Sequence, residues 1–316
     1  MPNIKVKSNG CYDGIWGEPM EELVVHMKGI VKERGKLRIG PMDLDIPKGY
    51  VTAIVGSNGS GKSTLMNMVM QIIHPDQGQI ELLGHTLAGD HQWELKRRIG
   101  YVQEQSWNDQ NGDTLEQIVN QMKYWYPTWN QALYERLVTV FEIDPKQRLG
   151  KMSKGTRRKC EFIIGFVHEP DLLLLDEPSS GLDPLSWKIM LDEIRAYMDR
   201  GERAVLLASH IIDEVKRLAD YVVFMHRGKL LGKYEKDQLM DDWKALWVEA
   251  GPELNCESLR RLGGVMALEN EGRNVVKIVT LDVTLTEKAL EQAGLRILRT
   301  GGVELDEILT YLIQQS

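Results

Sequence analysis

The sequence has few cysteines and no long apolar run, and both features narrow the class of protein. Its three cysteines, Cys11, Cys160 and Cys256, lie too far apart to suggest a disulfide framework or a zinc site. No apolar run reaches the roughly 18–20 residues that a membrane-spanning helix needs. Residues 1–10 contain lysines but no apolar segment after them, so we expect no signal peptide. We therefore expect a cytoplasmic protein that would reach a membrane only through other chains.

Basic residues are not in excess either. The 39 lysines and arginines are outnumbered by 46 acidic residues, which gives a net charge of −7. Because nucleic-acid-binding domains usually present a basic surface, we expect no nucleic-acid partner. The hydrophobic fraction of 42% and the charged fraction of 27% are those of a globular protein. A length of 316 residues allows one large domain and a small one.

One stretch fits the phosphate-loop pattern G-x-x-x-x-G-K-[ST] at every specified position: Gly56, Ser57, Asn58, Gly59, Ser60, Gly61, Lys62 and Ser63. An apolar, β-branched segment at 50–55 predicts a buried strand before it, and the segment that begins at Thr64 predicts a helix after it. The N–H groups of such a loop point at phosphate oxygens, and the positive end of the helix adds attraction. We expect the loop and Thr64 to bind a nucleotide, with Lys62 on its β- and γ-phosphates and the Ser63 hydroxyl on Mg²⁺.

An acidic pair at the end of an apolar strand is the second motif. The four leucines at 172–175 predict a buried strand, and Asp176 and Glu177 follow it directly. Ligands of such sheets bind at the carboxyl ends of the strands, so both carboxylates should lie beside the phosphate loop. We expect Asp176 to hold Mg²⁺, directly or through water, and Glu177 to act as the general base on the attacking water. A pair that only caps the strand is the weaker alternative.

Together with three further motifs, these residues resemble the ATP-binding-cassette (ABC) ATPases from about residue 23 to residue 230. Gln103 ends a predicted strand where that family has a glutamine, which implies a contact with Mg²⁺ and a catalytic role. The segment 179–183, Ser-Ser-Gly-Leu-Asp, matches the D-loop. His210 matches the switch histidine, which contacts the γ-phosphate. The resemblance implies Mg²⁺-dependent hydrolysis of ATP by an α/β fold, with a mostly parallel sheet, an antiparallel β subdomain and a helical subdomain.

The signature motif departs from the family pattern. The usual Leu-Ser-Gly-Gly-Gln is here Met-Ser-Lys-Gly-Thr at 152–156. Ser153 and Gly155 are kept and open a predicted helix, whose N-terminus can receive the γ-phosphate of a partner's ATP. A Ser-Lys-Gly version resembles that of a subgroup of bacterial exporters, so we expect a working motif. If Lys154 instead blocked close approach, turnover would be slow and the chain could be a regulatory nucleotide binder.

Two groups of residues leave alternatives open. Alignment of the first strand region with the family places Arg34 where an aromatic ring usually stacks on adenine. A guanidinium plane can also stack on a base, or it can simply be solvated. Trp107, Trp125, Tyr126 and Trp129 lie where exporters of this family hold a groove for a coupling helix of the membrane subunit. Packing in the core is the favoured interpretation for most of these rings.

We expect an irregular N-terminal arm at 1–20, an ABC ATPase domain at 21–240 with its helical subdomain at about 104–167, and a small α+β accessory domain at 241–316. The chain carries one set of motifs. Because active sites of this family are shared between two cassettes, the resemblance implies a homodimer or a heterodimer with a paralogous ATPase subunit.

The chain is thus interpreted as the ATP-binding and ATP-hydrolysing subunit of an exporter, similar to the drug and antibiotic exporters of Gram-positive bacteria. Transmembrane permease subunits would hold it at the inner face of the cell membrane. A soluble or regulatory ABC ATPase is the alternative. DNA-repair ATPases usually insert a long coiled coil, for which this chain has no room, and translation-factor ATPases usually carry two cassettes.

Overall fold

The computed structural model describes residues 22–35, 37–86, 92–104, 112–249, 259, 264–272 and 274–315. Contacts divide the chain into two compact units, with a boundary between Leu230 and Leu231. The predicted arm at 1–20 and Trp107 lie outside the described residues. The predicted domain boundary near residue 240 falls within the smaller unit and stays a prediction.

The larger unit is an α/β structure in which strands and helices mostly alternate. Its strands are β1 (Leu23–Arg34), β2 (Leu37–Pro47), β3 (Val51–Val55), β4 (Gln77–Leu82), β5 (His85–Thr86), β6 (Ile99–Val102), β7 (Leu172–Asp176), β8 (Ala204–Ser209), β9 (Tyr221–His226) and β10 (Lys229–Glu235), which runs past the boundary. Its helices are α1 (Lys62–Val69), α2 (Gln92–Lys96), α3 (Leu115–Trp125), α4 (Gln131–Val140), α5 (Lys154–Phe166), α6 (Pro184–Met198) and α7 (Ile212–Leu218).

A largely parallel sheet brings the functional segments to one edge. Its strand order is β10-β9-β3-β8-β7-β6, and the pairs from β9 to β6 are parallel. Every residue of β3, β7 and β8 is buried. This explains their continuous apolar sequences, because strands covered on both faces cannot alternate with polar residues. The carboxyl ends of β3, β6, β7 and β8 therefore share one edge of the sheet.

A second sheet is antiparallel and packs into the same core. Its order is β2-β1-β4-β5. Met27 and Ile39 from this sheet are fully buried in one cluster with Leu65 of α1 and Leu174 of β7. The sequence predicts strands at 23–31 and 37–46, and β1 and β2 run slightly longer than these ranges, whereas the two-residue β5 is not predicted. This sheet corresponds to the antiparallel β subdomain expected from the family resemblance.

Side-chain caps set the starts of the helices between β6 and β7. The Thr114 hydroxyl accepts a hydrogen bond from the Gln117 N–H, and the Gln117 side chain accepts one from the Thr114 N–H. Ser153 caps α5 by accepting from the Thr156 N–H at 3.1 Å. Because of this cap, α5 begins at Lys154, where the signature residues Ser153 and Gly155 are predicted to open a helix. Within the described ranges, no helix is both long enough and apolar enough to cross a membrane.

The aromatic residues at the end of α3 correct the core interpretation. Trp125 is 63% exposed and Tyr124 is 84% exposed. Ile118, Met122 and Trp125 lie on one face of the helix, and burial decreases along it from Ile118 to the exposed Trp125. The helix has run past the core by its last turn, which leaves Trp125 mostly exposed. Tyr126 and Trp129 are half-buried.

The smaller unit is a four-stranded antiparallel sheet with helices. Its strands are β11 (Lys244–Glu249), β12 (Val265–Asn270), β13 (Val275–Thr280) and β14 (Ile297–Gly302), and its helices are α8 (Lys236–Asp242), α9 (Val283–Gln292) and α10 (Leu305–Gln315). The order β12-β13-β11-β14 is that of a split β-α-β arrangement. Leu246 and Ile278 pack with Leu290 of α9. On α10, Glu307 lies 3.0 Å from the buried Nζ of Lys277. Sequence reasoning predicted this unit as α+β but missed β12 and α8.

We predict that His168 makes the larger unit less stable in weak acid. His168 is 1% exposed, and burial lowers its pKa to about 4. An unfolded histidine has a pKa of about 6.5, so between these values the unfolded chain binds more protons than the folded one. The free energy of unfolding should therefore fall as the pH drops from about 6.5 to about 4, by about 3 kcal/mol in total. Urea denaturation at a series of pH values measures this slope.

His168→Gln should flatten that slope, because the amide can still face the Ile99 carbonyl, which lies 3.2 Å from Nε2, but does not titrate. His74→Gln is the control, since His74 is exposed and should leave the slope unchanged. Equal slopes in the parent chain and His168→Gln would show that His168 is not the responsible group.

Candidate functional site

The phosphate loop forms a tight turn between β3 and α1. The Ser60 N–H donates to the Ser57 carbonyl at 3.1 Å, and the Ser60 carbonyl accepts from the Gly228 N–H at 2.8 Å. Gly61 precedes the helix with a φ of 112°, which side chains rarely allow. The loop therefore has the compact form and the helix N-terminus that the sequence pattern predicts.

Gly56 is needed because the loop passes very close to the end of β9. A Cβ atom added to Gly56 would lie 2.2 Å from the main-chain oxygen of Met225. A backbone atom cannot move aside as the end of a flexible side chain can, so only glycine fits. At Gly61 the nearest atom to an added Cβ is the mobile Cε of Met225, at 2.8 Å. Gly56 is thus required by a main-chain contact, and Gly61 by its positive φ.

Lys62 and Glu177 form a buried ion pair at the carboxyl edge of the sheet. Lys62 Nζ lies 3.4 Å from Glu177 Oε1, and the two side chains are 5% and 6% exposed. Lys62 Nζ also donates to the Gly56 carbonyl at 2.7 Å. Burial of these charges is tolerated because each has a partner. The phosphate loop and the end of β7 are therefore joined by a direct electrostatic contact.

His210 completes this arrangement on the other side of Glu177. Its Nδ1 lies 2.7 Å from Glu177 Oε2, and the side chain is 49% exposed. The Glu177 N–H donates to the Ala208 carbonyl at 2.9 Å, which ties the ends of β7 and β8 together. Glu177 has a left-handed backbone with a φ of 49°. A carboxylate held by a half-exposed histidine can accept a proton from a water molecule.

Asp176 and Ser63 fit a magnesium ion. Burial raises the pKa of Asp176 to about 6, against the opposing effect of a hydrogen bond with Ser63. Asp176 Oδ1 is buried and has no hydrogen-bond partner among the described residues, so it can accept a cation. Carboxylate and hydroxyl oxygens are ligands that Mg²⁺ prefers. Gln103 directly follows β6, at the same edge of the sheet, and is half-buried.

The signature residues contact the D-loop of their own chain. A Cβ added to Gly155 would lie 2.6 Å from the Gly181 carbonyl oxygen, so the helix approaches the D-loop as closely as glycine allows. The Lys154 side chain passes beside Gly181, and its Nζ donates to the Ser180 hydroxyl at 3.2 Å. Ser153 contacts Thr156 in the cap of α5. Lys154 therefore lies along the D-loop.

Arg34, the last residue of β1, contacts the first turn of α1. Its Nη1 donates to the Thr64 hydroxyl at 3.1 Å, and the residue is exposed. This contact places the guanidinium beside the phosphate-loop helix. Contact with adenine stays a prediction.

Two buried charged residues were missed by sequence reasoning. Glu214 of α7 is 2% exposed and accepts hydrogen bonds from the hydroxyls of Ser179 and, at 2.8 Å, Ser209. Burial raises the pKa of Glu214. Arg158 of α5 is also 2% exposed and contacts the main chain next to Glu177. Arg158 precedes Phe162 by one helical turn on the apolar face, so a charge among apolar residues was the available signal.

The structure thus brings together one group of the predicted site residues by direct contact: Gly56, Lys62, Ser63, Asp176, Glu177 and His210. Arg34 joins this group through Thr64. Ser153 and Gly155 belong to a second group, positioned by the D-loop. A split of this kind is what a site shared between two chains requires.

The chain is similar in sequence to curated ATP-binding proteins of bacteria. The daunorubicin/doxorubicin resistance ATP-binding protein DrrA of Streptomyces peucetius is 32% identical over 214 residues, which cover 66% of this chain and 64% of DrrA. The bacitracin transport ATP-binding protein BcrA of Bacillus licheniformis is 31% identical over 199 residues, which cover 63% of this chain and 65% of BcrA. The chain spans just under two thirds of the length of these relatives.

A third relative and a family model identify the family. The ABC transporter ATP-binding protein NatA of Bacillus subtilis (strain 168) is 30% identical over 200 residues, which cover 60% of this chain and 78% of NatA. The family model described as ABC transporter matches residues 39–180. The chain belongs to the ABC transporter family. The family membership expected from the motifs is confirmed.

Solved structures of ABC proteins share the fold. An ATP-binding subunit of an ABC transporter has a TM-score of 0.62 and 26% identity, and the match covers 69% of this chain and 92% of that one. A dimeric bacterial ABC transporter cassette has a TM-score of 0.57 and 18% identity, and the match covers 67% of this chain and 98% of the cassette. The predicted fold class is confirmed.

We predict that Gly56→Ala disrupts the phosphate loop. The new Cβ would meet the Met225 carbonyl, and such overpacking costs about 3 kcal/mol. The displaced loop should also bind nucleotide at least about tenfold more weakly, because small displacements in such sites have large effects. Titration with a fluorescent ATP analogue and thermal unfolding measure the two effects.

Gly49→Ala is the matched control. Gly49 has a positive φ of 87°, which Gly56 does not, and an added Cβ at Gly49 has open space around it. Its substitution should cost about 1 kcal/mol from backbone strain alone and leave nucleotide affinity unchanged. Equal affinities for Gly56→Ala and Gly49→Ala would contradict the steric argument.

Proposed function

We propose that this protein is the ATP-hydrolysing subunit of an ABC exporter, working as a dimer at the cytoplasmic face of the membrane. The contact between Lys62, Glu177 and His210 carries the proposal, because it joins a phosphate-binding loop to a general base at the edge where ligands of such sheets bind. Family membership supports the choice of ATP as substrate.

In this proposal the phosphate loop holds the β- and γ-phosphates of ATP. Its N–H groups and the positive end of α1 attract the phosphate oxygens, and Lys62 supplies a full charge. Ser63, Asp176 and Gln103 would hold Mg²⁺, which neutralises charge on the phosphates. The unpartnered Oδ1 of Asp176 supports this assignment.

Glu177 would accept a proton from the water that attacks the γ-phosphate. Its Oε2 is engaged by His210 and its Oε1 faces Lys62, so the carboxylate is held in one orientation. A positioned base of this kind contributes typically 10²–10⁴-fold to the rate. His210, half-exposed at the same edge, can reach both the carboxylate and a γ-phosphate.

The signature residues would complete the site of a second chain. Ser153 and Gly155 open α5, whose first turn lies against the D-loop at Gly181. A helix N-terminus suits a γ-phosphate. Lys154 lies along Gly181, which supports a working signature and disfavours the regulatory binder. The partner would be a second copy or a paralogous ATPase subunit.

Transport would require separate transmembrane permease subunits. DrrA and BcrA are named for drug resistance and bacitracin transport, which supports an exporter of a drug-like or peptide antibiotic. The exposed rings of Tyr124 and Trp125 stack edge to face at 5.6 Å at the end of α3. Exposed aromatic residues of this kind commonly mark a protein contact.

We predict that Glu177→Gln traps an ATP-bound dimer. The amide keeps the size of the carboxylate but cannot take a proton, so hydrolysis should fall by about 100-fold or more. ATP binding should persist, because the phosphate loop is intact. Size-exclusion chromatography with light scattering, in the presence of ATP and Mg²⁺, should show twice the mass of the monomer.

Lys62→Ala is the control for this experiment, because it should lose ATP binding and remain monomeric. If Glu177→Gln also stays monomeric at saturating ATP and Mg²⁺, the shared-site mechanism is wrong.

We also predict copurification with a membrane protein. The tagged protein, isolated from detergent-solubilised membranes of its native host, should carry a multi-span protein in stoichiometric amount. Tyr124→Ala with Trp125→Ala should reduce that recovery at least about tenfold, because aromatic contacts often carry most of the binding free energy.

Ile72→Ala is the control, since Ile72 is exposed to a similar extent, 55%, but lies after α1. Recovery of the protein alone, or with nucleic acid, would favour a soluble or regulatory ABC ATPase instead.

A further inference from the structure

Arg158 carries a buried positive charge that the proposed mechanism does not use. Arginine is almost never fully buried unless it is paired, and Arg158 is 2% exposed. Glu161, on the same face of α5, lies 3.2 Å from Nη1 and supplies the opposite charge. The other donors of the guanidinium point away from α5.

Each of these donors reaches a main-chain carbonyl of a catalytic segment. Nη2 donates to the carbonyls of Asp176 and Glu177, the latter at 2.6 Å, and Nε donates to that of Pro178 at 3.2 Å. Nη1 donates to the Gln103 carbonyl. One planar side chain thus binds the ends of both β6 and β7. Only the five fixed donors of a guanidinium can do this, since a lysine ammonium has three donors at one point.

Three of the accepting carbonyls surround the left-handed turn at Glu177. A φ of 49° is unfavourable for a side chain as large as glutamate, and such a residue persists only when its surroundings hold it. Arg158 donates hydrogen bonds to the carbonyl of Glu177 and to the carbonyls of the residues before and after it. The direction of the Glu177 carboxylate toward Lys62 and His210 therefore depends on Arg158.

The helix that carries Arg158 also carries the signature residues. Arg158 lies on α5 only a few residues after Ser153 and Gly155, and a helix transmits displacement along its axis as a nearly rigid body. Movement of the helix start must therefore shift the guanidinium, and with it the main chain around Glu177 and Gln103. The contact of Gly155 with Gly181 couples the D-loop to the same movement.

We propose that Arg158 is a positioning residue. When the start of α5 binds a partner's nucleotide, Arg158 passes the resulting movement of the helix to Glu177 and Gln103 of the same chain. This inference rests on the proposed function, in which the signature serves a partner's nucleotide and Glu177 serves its own. Arg158 then links the two active sites of the dimer, so that each site is set for hydrolysis when the other is closed.

Steady-state hydrolysis by the full chain tests this role with Arg158→Gln and Arg158→Lys. We expect kcat to fall at least about tenfold for Arg158→Gln, because a displaced base loses its geometry, while KM for ATP changes less than about twofold. The kcat of Arg158→Lys should lie between those of the parent chain and Arg158→Gln, because lysine keeps the positive charge but lacks the planar guanidinium group. Arg136→Lys, which alters an exposed pair with Glu193, is the matched control and should keep the parent kcat.

Dimer formation gives a readout that general destabilisation would not produce. With ATP and Mg²⁺, Arg158→Gln should accumulate as a dimer, as Glu177→Gln is expected to, because closure is intact and hydrolysis is slow. A parent-like kcat in Arg158→Gln, or a monomer under conditions where Glu177→Gln dimerises, would overturn the inference. If Glu177→Gln itself stays monomeric, the proposed function fails and the role of Arg158 fails with it.

Glu161→Gln decides the question if both Arg158 variants are unfolded. It removes the counter-charge but leaves the guanidinium and every catalytic residue in place. A kcat lowered at least about threefold at unchanged KM supports positioning through Arg158. An unchanged kcat in a folded Glu161→Gln chain overturns it.

Discussion

A buried carboxylate is the constraint on which the catalytic edge of this fold depends. Glu177 is 5% exposed, and an anion removed from water to this extent needs opposite charges and hydrogen-bond donors around it. Lys62 and His210 supply them from the segments after β3 and β8. Three separate parts of the chain must therefore meet at the end of β7. The phosphate loop can take its place there only because Gly56 allows it to pass against the Met225 carbonyl.

Buried charges also hold the segments that surround this group. Glu214 accepts hydrogen bonds from Ser179, where the D-loop begins, and from Ser209, which precedes His210. Arg158 donates to the main chain on both sides of Glu177. In each case a charged side chain binds segments distant in sequence. Breaking such contacts is costly because the remaining partner stays buried without its counterpart.

The parts of the structure that could be predicted are those determined by residues close together in the sequence. The apolar and β-branched residues at 275–280 predict a buried strand, and the structure has a strand with these bounds. The start of α5 at the signature was also predicted, and its cause is local because the Ser153 side chain caps the Thr156 N–H. Core packing was the favoured interpretation for most of the aromatic rings that follow Gln103, yet Trp125 is exposed because the apolar face of α3 has left the core at the end of the helix. The spacing of apolar residues identifies one face of a helix, but it does not show whether other residues cover that face.

The sequence by itself determined the family, the phosphate loop and the order of the catalytic motifs, because these depend on residue types at fixed spacing within short segments. Only the tertiary structure decided that Lys62, Glu177 and His210 are in contact, that Gly155 lies against the D-loop and that Arg158 reaches the main chain beside Glu177. These contacts join residues far apart in the chain. They form because parallel strands end at one edge of the sheet, and strand order cannot be derived from spacing along the sequence.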